Sequence, residues 1–334
     1  MYKMCEKDEL NICINHIENV SNEVTFLYDY IEKMIFPHVD LDVLRGVTPL
    51  WMADAGRSAE SCMTKENFEK FVRSLEDTSD KNVVKILYWY DVEALLNALQ
   101  DRFSSTIWML KEFYSVLPYV PKQEEMQVFK ATMCSNRDSM NCYTAANTIF
   151  INLASAFDIL AKLSYELEHF SEYDFSCYSK LKSKDILYNK NLQISPILKQ
   201  QGMLFAEPAI VRKIETLRSE YVHNGPWDRT PKIYYPLDNN EMPLPAFMLM
   251  PDMNENGTFI TVKNRNKFYS QEKKLNIELI SILNDTMEII NNTIVGLKKV
   301  VDNQTDKSNS QDETNSTVQA IIDHLTNLNN YIKK

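Results

Sequence analysis

Ile149, Leu153, Phe157, Leu160 and Leu167 return at intervals of four, four, three and seven residues. An α-helix keeps that spacing on one face, whereas a β-strand scatters it over two. Residues 140 to 170 are therefore expected to form a long helix at the centre of a bundle. The same period runs through Leu10, Ile14 and Ile17, then Val24, Leu27, Ile31 and Ile35. Thr64 followed by Asn67, Phe68, Phe71, Val72 and Leu75 supplies an N-cap and an apolar stripe for a short helix. Leu95, Leu99, Phe103, Ile107, Leu110 and Phe113 mark a long helix over 82 to 117 that Pro118 and Pro121 stop. A last one, over 272 to 301, carries Leu275, Leu279, Leu283, Ile290, Ile294, Leu297 and Val301 on one stripe.

Only 6 glycines in 334 residues leave little material for the tight turns of a sandwich or barrel, while a 44% hydrophobic content is enough for a sizeable core. The expected fold is mainly α: a helical bundle with an N-terminal helical lobe and a small β flap. The lobe covers 1 to 120, as a sensing or regulatory element, and the bundle domain covers 121 to 302. The flap falls at 232 to 269, where KIYYPL, PAFMLM and TFITVKN have β character and Asn254 to Gly257 reads as a hairpin turn. Residues 303 to 316 are polar and read as a linker, followed by a C-terminal helix over 317 to 334.

The formal charge of −10 argues against a general nucleic-acid-binding surface, which needs a basic stripe, but it allows a local basic patch. The six cysteines form no C-x-x-C and have no zinc-like spacing with histidine, so they are read as reduced thiols. His16, His38, His169 and His324 lie far apart, and neither a metal nor a cofactor is expected. The N-terminus lacks the order of a signal peptide and no apolar run reaches about 18 residues, so a cytoplasmic protein without a membrane partner is expected.

One constellation carries chemistry. Arg218 and His223 stand five residues apart as R-x-x-x-x-H within LRSEYVHNG, near the end of a helix that Pro208 opens and Asn224-Gly225-Pro226 stops. On an ideal helix their side chains project about 140° apart, and fraying at Asn224-Gly225 turns His223 toward Arg218. Cleaving RNA without a metal requires a proton acceptor for the 2′-hydroxyl, a proton donor for the leaving oxygen and a cation for the phosphorane. A histidine titrating near neutrality serves as acid or base, and an arginine fork matches phosphate oxygens. One chain offers only one such histidine, so a complete acid and base pair calls for a second copy. Arg212, Lys213, Arg229 and Lys232 bracket the motif as a candidate RNA-binding patch. Ser219, Glu220 and Asn224 are candidate supports, as is Asp158 on the long helix before it. Tyr221, Trp227, Tyr234 and Tyr235 are candidates either for base stacking or for the core.

A long helix reading TAANTIFINLASAFDILAKLSYEL, a loop, a helix ending LRSEYVHNG and a closing amphipathic helix together resemble the HEPN superfamily. In that family R-x4-6-H is the catalytic signature of ribonucleases, and two subunits bring their motifs together into one composite site. The resemblance implies a HEPN-type fold and a metal-independent endoribonuclease acting on RNA as a homodimer, with Arg218 and His223 catalytic. It further implies a toxin or antiphage effector controlled by an antitoxin or a phage-derived trigger protein. The family often has an amide or acid after the motif arginine, where this chain has Ser219. Two alternatives stand beside it. One is a non-catalytic helical scaffold, and the other is a nucleotide-binding companion of a nucleotidyltransferase.

Overall fold

The computed structural model describes residues 2–37, 39, 41–78, 81–118, 130–182, 186–189 and 193–308. Among them, helices dominate. Four are long: α1 (Tyr2–Ile35), α5 (Lys81–Val116), α6 (Arg137–Glu168) and α8 (Leu275–Ser308). Between them lie α2 (Leu41–Val47), α3 (Trp51–Asp54), α4 (Lys65–Thr78) and α7 (Ala209–Ser219). The mainly α class with a small β flap is what the periodicity predicts. The Thr64 cap forms, with its Oγ1 accepting from the Asn67 amide at 3.3 Å. The helix expected over 317 to 334 and most of the linker before it lie outside the described residues, as do Lys184 and Lys190 of the loop that follows α6. α8 continues through Ser308, so the first residues of the expected linker are helical.

The chain divides into two compact units, each assembled from separated stretches. One comprises Met1–Glu23, Leu99–Leu160 and Pro196–Ile294. Its core gathers Ile17, Leu99, Phe103, Phe113, Ile149, Phe150, Phe157, Ile214, Leu217, Leu283 and Ile290, all essentially inaccessible to solvent. Each such side chain stabilises the fold by about 1.5–3 kcal/mol relative to exposure. The other comprises Val24–Ala98, Ala161–Ser195 and Val295–Lys334. There the inward residues of α4 and α5, Phe71, Leu75, Val83, Leu87 and Val92, are buried. Arg57 pairs with Asp91, to which the Tyr178 hydroxyl also donates at 2.7 Å, tying the loop after α6 to α5.

α6 is long and apolar enough to cross a bilayer by length and composition, yet 72% of its most apolar window is buried within the protein, the behaviour of a core helix. The flap belongs to the first unit. β1 (Lys130–Cys134) pairs antiparallel with β2 (Ile233–Leu237), with Lys130 opposite Leu237 and Cys134 opposite Ile233. On the other side of β2, Tyr234 and Phe247 exchange backbone hydrogen bonds at 2.8 and 3.0 Å. The expected turn at Asn254–Gly257 forms, the Gly257 amide donating to the Asn254 carbonyl at 3.0 Å. Gly257 has φ +82°, and a Cβ there would lie 2.3 Å from the Ala209 carbonyl oxygen and 2.6 Å from the Lys213 nitrogen. Only glycine lets this turn press against the first turn of α7.

Candidate functional site

Pro208 precedes α7 with φ −62° and ψ 154°, an extended geometry that proline pre-sets. The helix then buries Val211, Ile214 and Leu217, spaced three apart. That choice leaves Glu215 and Arg218 half-buried at the margin of the core, and the chain reaches the surface at Val222, His223 and Asn224. The last turn, Glu220–Asn224, is wound as a π-helix and ends at Gly225, whose φ of +93° and ψ of −171° only glycine adopts readily. A π turn closes i to i+5 hydrogen bonds and holds more residues per turn than an α turn. A residue five positions on therefore returns closer to the same face than the 140° of an ideal α-helix. The motif was expected to close up by fraying, and instead the helix is widened where Arg218 passes to His223.

Arg218 is half-buried and His223 exposed. Among the described residues neither makes a side-chain hydrogen bond or an ion pair. Glu215 is the carboxylate whose charge Arg218 feels. Burial and the neighbouring Asp158 push the Glu215 carboxyl up, against the lowering pull of Arg218. Asp158 is exposed on α6, so it reaches the motif through Glu215. The Ser219 hydroxyl caps nothing.

Glu220 is only 8% exposed, and it is fully engaged. Lys267 Nζ donates to its Oε1 at 2.6 Å and Asn224 Nδ2 to its Oε2 at 2.9 Å. Burial pushes this carboxyl up, but the two hydrogen bonds and the lysine charge more than offset it and hold the group below the usual glutamate range. Past the motif, Trp227 is 1% exposed, and its Nε1 donates to Asn147 Oδ1 of α6 at 2.7 Å. Its ring packs on Tyr143 at 4.6 Å, whose hydroxyl accepts from the Asp228 amide at 3.3 Å. The Tyr269 hydroxyl donates to the Trp227 carbonyl at 2.7 Å. Of the four candidate stacking aromatics, Trp227 is thus a core anchor, and Tyr234 is stacked on Phe247 with 5.3 Å between ring centroids. Tyr235 is 42% exposed.

The basic residues bracketing the motif are not four free cations. Arg212 pairs with Glu207 at 3.0 Å. Lys213 lies 3.8 Å from Glu278, and burial pulls its pKa down against that carboxylate. Lys232 Nζ donates to the Thr230 carbonyl at 3.0 Å, and Arg229 is exposed. Lys213 faces a cavity of about 340 Å³ at the start of α7, shared with Ile210, Met250, Asn254, Lys273 and Asp285. Among the described residues no three His, Cys, Asp or Glu side chains gather in a way that would hold a metal ion.

Sequence reasoning did not single out Asn147, Lys267 or Tyr269. Asn147 carried a readable signal, a polar residue in the buried seam between Ala146 and Phe150. Lys267 and Tyr269 carried none, because only long-range packing brings them to the motif. No family model matches the chain, and no curated protein or solved structure matches it either. Fold and site together describe a mainly α-helical protein with a half-buried Arg218 that has no ion pair among the described residues, followed by an exposed His223 on a π-wound turn.

Proposed function

We propose that the chain is a metal-independent endoribonuclease of the HEPN type that cleaves RNA at a site shared between two copies and acts as a toxin or antiphage effector. The observation that carries this reading is the state of the motif: Arg218 near the end of α7 and His223 in the π turn that follows make no ion pair or side-chain hydrogen bond among the described residues. An arginine held at the core margin without an ion pair retains its full fork for phosphate oxygens. An exposed imidazole at that position is free to take the 2′-hydroxyl proton or to protonate the leaving 5′-oxygen. Attack of the 2′-oxygen on phosphorus breaks the bond to the 5′-oxygen and leaves a 2′,3′-cyclic phosphate. Arg218 stabilises the charge that builds on the phosphorane, and the second histidine comes from the partner copy.

Arg229 remains as an exposed cation beside the motif. Arg212, Lys213 and Lys232 are committed to protein oxygens, so steering of RNA rests on fewer charges than the sequence suggested.

The test is cleavage of a mixed RNA substrate by purified protein in chelator, with end-group analysis of the products. Fragments ending in 2′,3′-cyclic phosphate, lost by a factor of about 10² to 10⁴ in His223→Ala, are the expected outcome. Equal behaviour of wild type and His223→Ala, both on RNA and on growth after induced expression, would overturn the reading.

A further inference from the structure

Residues 267 to 269 cross the exit of the motif and grip it at three points. Lys267 Nζ holds the Glu220 carboxylate at 2.6 Å and reaches the Pro226 carbonyl at 3.4 Å. Tyr269 holds the Trp227 carbonyl at 2.7 Å. The π turn therefore has one of its own residues, Glu220, and the two residues after its closing glycine fastened to the far end of the β insertion. Glu220 also takes Asn224, so one carboxylate links the first and last residues of the turn that bears His223. A π turn is intrinsically less favourable than an α turn and persists where surrounding contacts over-determine it. Here the turn is held by its own Asn224–Glu220 bond and, from outside it, by the contact of Lys267 with Glu220.

We propose that the end of the β insertion is a positioning strap for the motif, with Lys267 the positioning residue that keeps the Glu220–Asn224 turn in its π form and His223 on the side of Arg218. Lys267 touches no reacting atom in this arrangement and acts through Glu220. Its side chain is 29% exposed and that of Glu220 is 9% exposed, so the pair is shielded enough for its loss to leave a buried, uncompensated carboxylate. The importance of this geometry for chemistry rests on the ribonuclease reading above, whereas the geometry itself does not.

The experiment compares the full chain carrying Lys267→Met, which keeps the aliphatic stem, with Lys267→Arg, which restores the charge, and with Lys199→Met as an exposed control. Two readouts are independent of activity: the NMR position of the His223 ring signals at fixed pH and the amide exchange of residues 220 to 224. Lys267→Met is expected to displace the ring signals and to speed exchange in the turn about tenfold or more, with Lys267→Arg close to wild type and the control unchanged. Ring signals and turn exchange identical to wild type in Lys267→Met would overturn the proposal. Should Lys267→Met fail to fold, Glu220→Gln removes the same ion pair at constant shape and is read in the same way. RNA cleavage is measured in parallel. If wild type cleaves, Lys267→Met is expected to lower kcat more than it raises KM; if wild type does not cleave, the ribonuclease reading fails while the two NMR readouts still decide the strap.

Discussion

Trp227 Nε1 donates to Asn147 Oδ1 at 2.7 Å, joining the segment just after the Arg/His motif to the N-terminal half of α6. Asn147 is 1% exposed and spends its own Nδ2 on the Tyr143 carbonyl at 2.8 Å. Asn147→Leu therefore buries an indole N–H without a partner. The expected loss is about 1–3 kcal/mol of unfolding free energy, read from the midpoint of a denaturant titration. A change below about 0.5 kcal/mol, the range of ordinary surface substitutions, would mean that the bond does not anchor the loop.

Gly225→Ala and Gly257→Ala separate backbone strain from collision. Both glycines have positive φ, but a Cβ meets nothing within 4 Å at Gly225 and meets the α7 backbone at Gly257. Gly225→Ala should cost about 1–3 kcal/mol, the strain of its dihedrals alone. Gly257→Ala should cost more, because about 1–3 kcal/mol of overpacking against backbone adds to the strain. Thermal melts of the two variants side by side check the order.

Glu215 and Glu220 lie five residues apart and should respond to pH with opposite sign. The folded pKa of Glu215 is raised above its ordinary value of 4.5, so the folded state holds the proton more tightly. Its contribution to stability is complete below 4.5 and is lost as pH rises through the folded pKa. Glu215→Gln should remove that loss and stabilise the protein at neutral pH. The folded pKa of Glu220 is lowered below 4.5. Its contribution is present above 4.5 and disappears as pH falls through the folded pKa, so Glu220→Gln should destabilise the protein at neutral pH and flatten its acid limb. Denaturant midpoints measured across the acid range for both variants test the two signs.

His223→Ala should leave stability within about 0.5 kcal/mol of wild type, since the side chain is exposed and makes no ion pair or hydrogen bond with described residues, whereas Arg218→Ala should cost somewhat more, because Arg218 is half-buried and its charge favours the Glu215 carboxylate. Loss of RNA cleavage with retained melting temperature is the expected pair of results. A large drop in melting temperature would mark the motif as structural. Arg218→Lys should not rescue cleavage, because an ammonium lacks the planar fork.

The helices were legible because their apolar periods are long: α5 and α6 begin and end within three residues of the expected limits, and α8 begins within three but runs seven residues past its expected end at 301. The stop at Asn224-Gly225 was legible too, since glycine beyond a helix end is a local signal. The π winding before it was not. One of its contacts comes from Lys267, far along the chain, and no pattern among residues 218 to 223 distinguishes a frayed α turn from a held π turn. The partners of the basic patch were not legible for the same reason. Arg212 and Lys213 count as cations in the sequence, and only the fold brings Glu207 and Glu278 beside them. Local patterns report which residues share a helix face, whereas charge compensation and turn geometry depend on partners that composition does not reveal.

The motif is fastened by Asn147, 80 residues before Trp227, and by Tyr269, 42 residues after it. Contacts across such separations carry a loop-closure entropy cost that the local winding of a helix does not. Synthesis runs from the N-terminus, so Arg218 and His223 are added to the chain before residues 267 to 269. A nascent chain thus carries Arg218 and His223 before the contacts of Lys267 and Tyr269 with the segment around them can form.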